Sequence, residues 1–249
     1  RLIGQNLEGL LKVHSTNTHA VELARQGAPD GTLVLAEHQT HGRGRLGRQW
    51  FATKGSSLLL SLILRPRLLP RQAQRAMMIC SLAAVEAIAR TTALAAELKW
   101  PNDIMIQGKK LGGLLTILGL RAGHLDYVVV GVGLNVNLDL AAMPPLAYPA
   151  TSLSATLGHA VSRLELLVAF LQGVEARYDR MSAGWSPHQQ WRVHLATLGQ
   201  QVCVGAGQGV IEGQAEDVDQ DGALLVRTSD GALRRVLAGD VTLRGRQPR

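Results

Sequence analysis

Through residue 197 the chain alternates between short apolar runs and longer stretches that carry apolar residues at helical spacing. The apolar runs predict strands, at residues 10–13, 32–36, 57–64, 97–100, 104–106, 114–118 and 127–132. The helical spacing predicts helices at residues 18–25, 72–90, 164–180 and 189–194, and a short helical turn that begins at Thr151. This mixture of elements indicates an α+β fold whose centre is a mixed β-sheet.

The pattern changes after residue 198, where short alternating runs are separated by turn sequences such as Asp221-Gly222 and Asp230-Gly231. These runs lie at residues 202–204, 210–213, 222–226, 234–237 and 241–243. Five short strands within about 50 residues suggest a small β-barrel. The sequence therefore predicts two domains, residues 1–197 and residues 198–249.

The positive part of the formal net charge of +7 belongs to the first of these domains. Residues 198–249 carry seven acidic and six basic groups, which leaves 20 basic and 12 acidic groups in residues 1–197. Such an excess can attract nucleic acid, an acidic protein or a nucleotide. No apolar stretch reaches the roughly 20 residues of a membrane-spanning helix, and Cys80 and Cys203 form no metal-binding spacing. We therefore expect a cytoplasmic protein without a membrane span, a disulfide or zinc.

Glycine and arginine alternate in one stretch, GRGRLGR at residues 42–48. Because glycine disfavours both helix and strand interiors, we expect an irregular loop here. Converging backbone N–H groups and guanidinium groups would suit a small anion such as a carboxylate or phosphate. A solvated basic turn and a nucleic-acid patch remain the alternatives for this stretch taken alone.

Polar side chains follow several of the predicted strands, and the ends of strands in one sheet can converge on a ligand. The converging groups would be Ser15, Thr16, Asn17, Gln39, Arg43, Arg45, Lys99, Asn102, Asp103, Lys110 and Asn135. The set contains several cations and only one obvious carboxylate, and it offers no Ser-His-Asp or Cys-His arrangement. It fits electrostatic stabilisation of phosphoryl or acyl-phosphate chemistry, with Asp103 helping to hold Mg²⁺.

Five motifs resemble those of biotin–protein ligases in their residues, order and spacing. They are Ser15-Thr16-Asn17, QTHGRGRLGRQW at residues 39–50, KWPND at 99–103, KLGG at 110–113 and GVGLN at 131–135. A single short motif would be weak, whereas five in register over nearly the whole chain are specific. The resemblance implies a catalytic domain similar to class II aminoacyl-tRNA synthetases and biotin ligases, followed by an SH3-like domain. It also implies two reactions: biotin and MgATP give biotinyl-5′-AMP, and a lysine of a biotin carboxyl carrier protein then takes the biotin.

The resemblance assigns roles to the matching positions. The biotin-binding residues would be Ser15, Thr16, Asn17, Gln39, Gly42, Arg43, Gly44, Arg45, Lys110, Gly113 and Gly131. The ATP-binding residues would be Trp50, Lys99, Asn102, Asp103 and Asn135, with Asp103 as the metal ligand. Lys110, Arg43 and Arg45 would be catalytic, because joining a carboxylate to a phosphate brings two anions together. An apolar cavity near residues 33–35 and 128–130 would take the ring and chain of biotin.

Several further expectations depend on the same resemblance. Only about ten residues precede the first predicted strand, so we expect no DNA-binding domain and no repressor role. The acceptor would be acetyl-CoA carboxylase or another biotin-dependent carboxylase, and a homodimer is an option that the sequence leaves open. Ile117 stands where relatives usually carry glutamate. The glycine–arginine loop should be mobile until ligand arrives. Lipoate–protein ligases or octanoyltransferases, which share this fold, and a basic nucleic-acid-binding module are the alternatives.

Overall fold

The computed structural model describes residues 2–143, 148–206, 209–237 and 239–243. The strands before residue 143 are β1 (Leu7–Leu10), β2 (Thr32–Ala36), β3 (Gly42–Arg43), β4 (Gln49–Trp50), β5 (Ser57–Leu64), β6 (Glu97–Lys99), β7 (Asp103–Ile106), β8 (Lys109–Arg121) and β9 (His124–Asn135). Seven of them form the main sheet in the order β1-β2-β5-β9-β8-β7-β6. The β1–β2 pair is parallel and the other neighbours are antiparallel, so the predicted mixed sheet is confirmed.

Helices cover both faces of this sheet. They are α1 (Thr16–Arg25), α2 (Gln74–Thr92), α3 (Leu153–Leu157), α4 (Arg163–Ser182) and α5 (His188–Val193). Alternate residues of β5 separate the two faces: Leu60 and Leu62 belong to the larger core with α2 and α4, whereas Ile63 belongs to a smaller cluster under α1. Each fully buried leucine contributes about 1.5–3 kcal/mol to folding. The short α1 covers only part of its face, and the functional site lies beyond its N-terminus.

The C-terminal strands form a separate antiparallel sheet. They are β10 (Gln201–Ala206), β11 (Gly209–Val218), β12 (Leu224–Arg227), β13 (Leu233–Val236) and β14 (Asp240–Leu243), in the order β13-β12-β11-β10-β14. All five predicted strands are present, with bounds shifted by a few residues. Within the described residues no pairing of β13 with β14 closes this sheet into a barrel. Its buried residues join the larger core, so the two sheets share one apolar interior.

Three local predictions were wrong. The first strand is β1 at Leu7–Leu10 rather than at residues 10–13, because Val13 contributes only an isolated bridge to Gln39. The glycine–arginine stretch is not wholly irregular: β3 pairs with β4 around a 3-10 turn at Arg45–Gly47. β8 begins at Lys109 rather than at residue 114, so Gly112 lies inside the strand, where a Cβ atom would meet the Gly133 carbonyl oxygen at 2.6 Å. A close approach of neighbouring backbones therefore outweighs the low strand preference of glycine.

Candidate active site

A cavity of about 500 Å³ opens where the ends of β2, β6, β8 and β9 meet the N-terminus of α1 and the β3–β4 hairpin. Gly113, Gly131 and Gly133 of the two central strands lie in its wall. Gly113 pairs with Gly133, so the three glycines are neighbours in the sheet. The predicted convergence of strand ends is therefore present.

The glycines of β9 allow two side chains to rest directly on the sheet. A Cβ atom at Gly131 would lie 2.1 Å from Asn17 Oδ1, and one at Gly133 would lie 2.7 Å from the Trp50 ring. Real Cβ contacts do not come that close, so a side chain at either position would displace Asn17 or Trp50. Gly131 thus defines the end of the cavity near Asn17, and Gly133 defines the end near Trp50.

The end near Asn17 is a network of neutral hydrogen bonds. Gln39 Oε1 accepts from the Thr16 backbone N–H at 2.7 Å and from the Thr16 hydroxyl at 3.1 Å. Ser61 Oγ donates to Asn17 Oδ1 at 2.6 Å, and Asn17 Nδ2 donates to the Leu115 carbonyl at 3.2 Å. These bonds fix the Gln39 amide so that its Nε2 remains a donor. The network can recognise a neutral polar group by complementary hydrogen bonds.

Ser15 begins α1 but does not cap it with its side chain. Its backbone is extended, as at an N-cap, yet its hydroxyl accepts no hydrogen bond from the first turn. The residue is 1% exposed and its hydroxyl has no hydrogen-bond partner among the described residues, although it lines the cavity. A buried polar group without a partner is costly. Ser15 is therefore available to a ligand.

The opposite end of the cavity carries charges. Lys110 Nζ lies 2.5 Å from Asp103 Oδ1, and both side chains are 22% exposed. Asn102 Oδ1 accepts from Arg45 Nη1 at 3.3 Å, which connects the hairpin with the turn between β6 and β7. Asn102 also donates to the Leu114 carbonyl at 2.5 Å, which fixes its amide. The arrangement places a lysine, an arginine and a carboxylate where an anion could bind.

Two buried polar atoms near this end have no hydrogen-bond partner among the described residues, Trp50 Nε1 and Asn135 Oδ1. Asn135 is held by its other side-chain atom, since Nδ2 donates to the Thr151 carbonyl at 3.1 Å. Tyr148 lies near two cations, with Arg48 at 5.6 Å and Lys110 at 5.7 Å from the ring centre. A donor, an acceptor and an aromatic face suit a nucleotide base.

The cavity brings together every site residue predicted from the sequence except one. Its lining includes Ser15, Thr16, Asn17, Gln39, Arg43, Gly44, Arg45, Trp50, Lys99, Asn102, Asp103, Lys110, Gly113, Gly131 and Asn135. Gly42 does not line it. A Cβ atom at Gly42 would lie 2.5 Å from the Trp50 carbonyl oxygen and 3.2 Å from Gln39 Nε2. Gly42 therefore supports the wall of the cavity from behind.

The predicted apolar lining was wrong. Leu33 and Val34 of β2 and residues 128–130 of β9 are core residues, each at most 1% exposed, and none of them lines the cavity. Leu60, Leu115 and Val132 line it instead. The strands were assigned correctly, but the cavity lies nearer to their ends than the apolar runs suggested.

Sequence reasoning also missed residues that this site uses. Ser61 interrupts an apolar strand in which every residue is buried, and it contacts both Thr16 and Asn17. A polar residue at such a position must find a partner, so Ser61 carried a signal that could have been followed. Tyr148 carried none, because only the fold places it beside Arg48 and Lys110.

Comparisons with known proteins agree with this geometry. The model of the biotin/lipoate A/B protein ligase family matches residues 11–135, and that of the biotin protein ligase C-terminal domain matches residues 197–244. The biotin–[acetyl-CoA-carboxylase] ligase of Paracoccus denitrificans is 33% identical over 230 residues, covering 89% of this chain and 94% of that protein. The bifunctional ligase/repressor BirA of Bacillus subtilis is 34% identical over 245 residues, covering 97% of this chain and 75% of that protein.

The chain belongs to the biotin protein ligase family. Among solved structures, the biotin protein ligase of Aquifex aeolicus in complex with biotin and ATP superposes with a TM-score of 0.80. It is 30% identical, and the match covers 96% of this chain and 99% of that chain. The C-terminal match is to a biotin ligase domain, which favours the biotin branch of the family over the lipoate branch.

One departure from the ligase pattern has a structural account. Ile117 pairs with Val129 in the sheet and packs on the small apolar cluster under α1, away from the cavity lining. An apolar residue there strengthens the contact between sheet and helix.

In the described part of the chain, no helix is long and apolar enough to cross a membrane. Nor do the described residues include a group of three or more His, Cys, Asp or Glu side chains that could hold a metal ion.

Proposed function

We propose that this protein is an ATP-dependent biotin–protein ligase that acts in two steps. In the first, the biotin carboxylate attacks the α-phosphorus of ATP, the bond to the β-phosphate breaks and pyrophosphate leaves. In the second, the amine of a carrier lysine attacks the acyl carbon of biotinyl-5′-AMP, AMP leaves and the amine loses a proton. The observation that carries the proposal is one cavity with a neutral hydrogen-bonding end and a cationic end.

The neutral end is proposed to bind the ureido group of biotin. That group presents one carbonyl and two N–H groups, so it needs donors and acceptors in one place. Ser15 Oγ and Gln39 Nε2 are the donors that the internal network leaves available. The Ser61 and Thr16 hydroxyls hold Asn17 and Gln39 in position, so little ordering is required on binding.

The cationic end is proposed to stabilise the charge that develops as carboxylate and α-phosphate join. Lys110, Arg43 and Arg45 line this end, and fixed cations in a partly closed cavity act more strongly than in water. Trp50 would pack beside the adenine, and Asn135 Oδ1 would accept a hydrogen bond from the nucleotide. Lys99 and Asn102 would contact the phosphates.

Asp103 is proposed to hold Mg²⁺ together with phosphate oxygens of ATP. One or two carboxylates with substrate phosphates are a common set of Mg²⁺ ligands. Oδ1 of Asp103 accepts from Lys110, while Oδ2 has no hydrogen-bond partner among the described residues, so one oxygen is available. When bound, the ion would reduce the negative charge of the phosphates at the reaction centre.

Residues 1–197 are proposed to be the catalytic domain and residues 198–249 the C-terminal domain. In support, the C-terminal family match begins at residue 197, and the second sheet begins at Gln201. The acceptor is proposed to be a biotin carboxyl carrier domain, in line with the name of the Paracoccus denitrificans relative.

Label transfer to a carrier domain tests the proposal. The protein is incubated with biotin, MgATP and a purified apo carrier domain, and streptavidin blotting reports the product. We expect label that requires ATP and that disappears when the acceptor lysine of the carrier is replaced by arginine. Lipoate transfer to a lipoyl domain in place of biotin transfer would contradict the proposal, as would salt-sensitive DNA binding without any transfer.

A further inference from the structure

The turn between β6 and β7 carries three of the charged or polar residues of the cavity, Lys99, Asn102 and Asp103. β6 is the last strand of the main sheet, so no strand of that sheet supports it from outside. The segment at residues 194–196 contacts it instead: the Leu98 N–H donates to the His194 carbonyl at 2.8 Å, and the Ala196 N–H donates to the Leu98 carbonyl at 2.9 Å. The position of this turn therefore depends on chain that leads into the C-terminal sheet.

Trp100 makes the strongest connection between the turn and the C-terminal part. It is 1% exposed, and its two N–H groups both donate to residues beyond 196. The backbone N–H donates to Thr197 Oγ1 at 2.9 Å, and the indole Nε1–H donates to the Gly222 carbonyl at 2.9 Å. Thr197 is itself completely buried. Both bonds lie in the interior, where an unpaired donor would be costly.

The acceptor at Gly222 is held rigidly. It lies in a hairpin turn in which Asp219 accepts hydrogen bonds from the backbone N–H groups of Asp221 and Ala223, each at 2.9 Å. Gly222 has a positive φ of 86°, and a Cβ atom there would lie 2.8 Å from the Met78 side chain in α2. The turn is thus packed against a helix of the main core, and its own hydrogen bonds hold the Gly222 carbonyl in place.

A second contact reaches the same end of the cavity. Arg45 Nη1 donates to the Gly239 carbonyl at 3.3 Å, while also contacting Asn102. Val241 of β14 lines the cavity. The neutral end is built from other elements: Gln39 accepts both of its hydrogen bonds from Thr16 of α1, and Gly131 of β9 lies against Asn17 of α1 and pairs with Ser61 of β5.

We propose that Trp100 is a positioning residue through which the C-terminal sheet holds the ATP end of the cavity in place. Trp100 anchors the turn with its indole and backbone N–H groups, and Lys99, Asn102 and Asp103 project from that turn into the cavity. The ATP end is therefore coupled to the C-terminal sheet, whereas the biotin end is independent of it. The inference rests on the proposed function, because it assigns the two ends to ATP and biotin.

Four substitutions separate positioning from stability. Trp100→Phe removes the indole donor and keeps an aromatic ring in the core. Thr197→Val removes the hydroxyl that accepts from the Trp100 N–H, and Thr197→Ser restores it. Trp191→Phe is the matched control for core packing, because Trp191 is also 1% exposed and belongs to the same core. Trp100 itself lines the cavity whereas Thr197 does not, so Thr197→Val separates positioning from direct contact with a ligand.

The Tm of each variant reports its stability, and calorimetry measures its affinity for biotin and for a non-hydrolysable ATP analogue. Biotin-dependent pyrophosphate exchange gives its KM for ATP. We expect Trp100→Phe and Thr197→Val to weaken ATP binding and raise its KM about five- to tenfold, the effect of losing one buried hydrogen bond. Biotin affinity should change less than about twofold. Thr197→Ser should behave as wild type, and Trp191→Phe should lower the Tm without altering ATP binding.

Two outcomes would overturn the inference. One is that the affinities for ATP and biotin fall equally and in proportion to the drop in Tm in all variants, because a tryptophan that only stabilises the fold would have that effect. The other is unchanged ATP binding in Trp100→Phe and Thr197→Val. A wild-type protein that binds neither ligand would instead refute the proposed function.

Discussion

The two glycines of β9 permit a test of how the cavity is divided, since Gly131 and Gly133 lie two residues apart on the same face of the strand. Gly131→Ala would place a methyl group 2.1 Å from Asn17 Oδ1, whereas ordinary van der Waals contact begins near 3.4 Å. The Asn17 side chain would therefore have to move by about 1 Å or more, because a packed interior does not compress. Gly131 is not among the glycines with positive φ, so the backbone itself accepts alanine.

The expected loss of stability follows from the hydrogen bonds that Asn17 would lose. Its bonds from Ser61 at 2.6 Å and to the Leu115 carbonyl at 3.2 Å would both break or stretch. Leaving these buried groups unpaired costs about 1–3 kcal/mol for each. Alanine regains only about 0.5–1 kcal/mol in a strand through reduced backbone entropy. The net loss should be about 1–5 kcal/mol in the free energy of unfolding, and biotin affinity should fall at least about tenfold.

Urea unfolding and calorimetric titration with biotin measure the two quantities. Gly133→Ala is the matched control: its methyl group would meet the Trp50 ring at 2.7 Å, so it should weaken binding of ATP more than of biotin. A folded Gly131→Ala protein that binds biotin as wild type would refute the reasoning. Equal effects of the two substitutions on both ligands would refute the division of the cavity.

Further expectations concern single charged side chains. Lys110→Ala should slow biotin-dependent pyrophosphate exchange about 10²–10³-fold while changing the Tm little, because its role is to stabilise developing charge; normal exchange would show that the assignment is wrong. Arg45→Ala should release biotinyl-5′-AMP about tenfold faster, as measured by gel filtration of the loaded protein, because it removes a contact that closes the hairpin; unchanged retention would contradict this. Burial raises the pKa of Asp219, but hydrogen bonds from Arg235 and backbone N–H groups outweigh it and hold that pKa below its usual value. Its contribution to stability is therefore present above a pH of about 4 and lost as the pH falls further. Asp219→Asn should lower the free energy of unfolding in urea by about 1–3 kcal/mol at neutral pH and by progressively less below pH 4. A loss that stayed constant with pH would exclude the carboxylate as its cause.

Much of the site could be predicted because it consists of polar residues that follow strongly apolar strands. Gln39 follows β2 and Asn135 ends β9, so a single sheet brings both to one cavity. Element type was equally accessible where the apolar pattern is dense, as in β5, whose predicted bounds were confirmed. These features depend on local sequence and on the assumption that the strands lie in one sheet.

What could not be predicted depends on contacts between distant residues. The sequence gives no sign that Gly112 must accommodate the Gly133 carbonyl, so the predicted strand began only at residue 114 instead of Lys109. β1 is an edge strand without a fully buried residue, so its apolar pattern is weak, and the strand was predicted at residues 10–13 instead of Leu7–Leu10. The indole bond of Trp100 joins residues 122 positions apart, and only the packed structure shows it.

The charges around the cavity give a physical reason for the predicted closing of the hairpin. Among the described residues that line the cavity, those outside the hairpin balance: Lys99 and Lys110 are matched by Glu97 and Asp103. The three further cations are the hairpin arginines at positions 43, 45 and 48. Moving the hairpin away would therefore remove the excess positive charge of the lining, and two bound anions would oppose that movement by electrostatic attraction. Cleavage after these arginines by trypsin should accordingly be slowed by biotin and ATP together, and less so at high salt, which screens the attraction. Equal cleavage rates with and without both ligands would show that the hairpin does not respond to the charge it encloses.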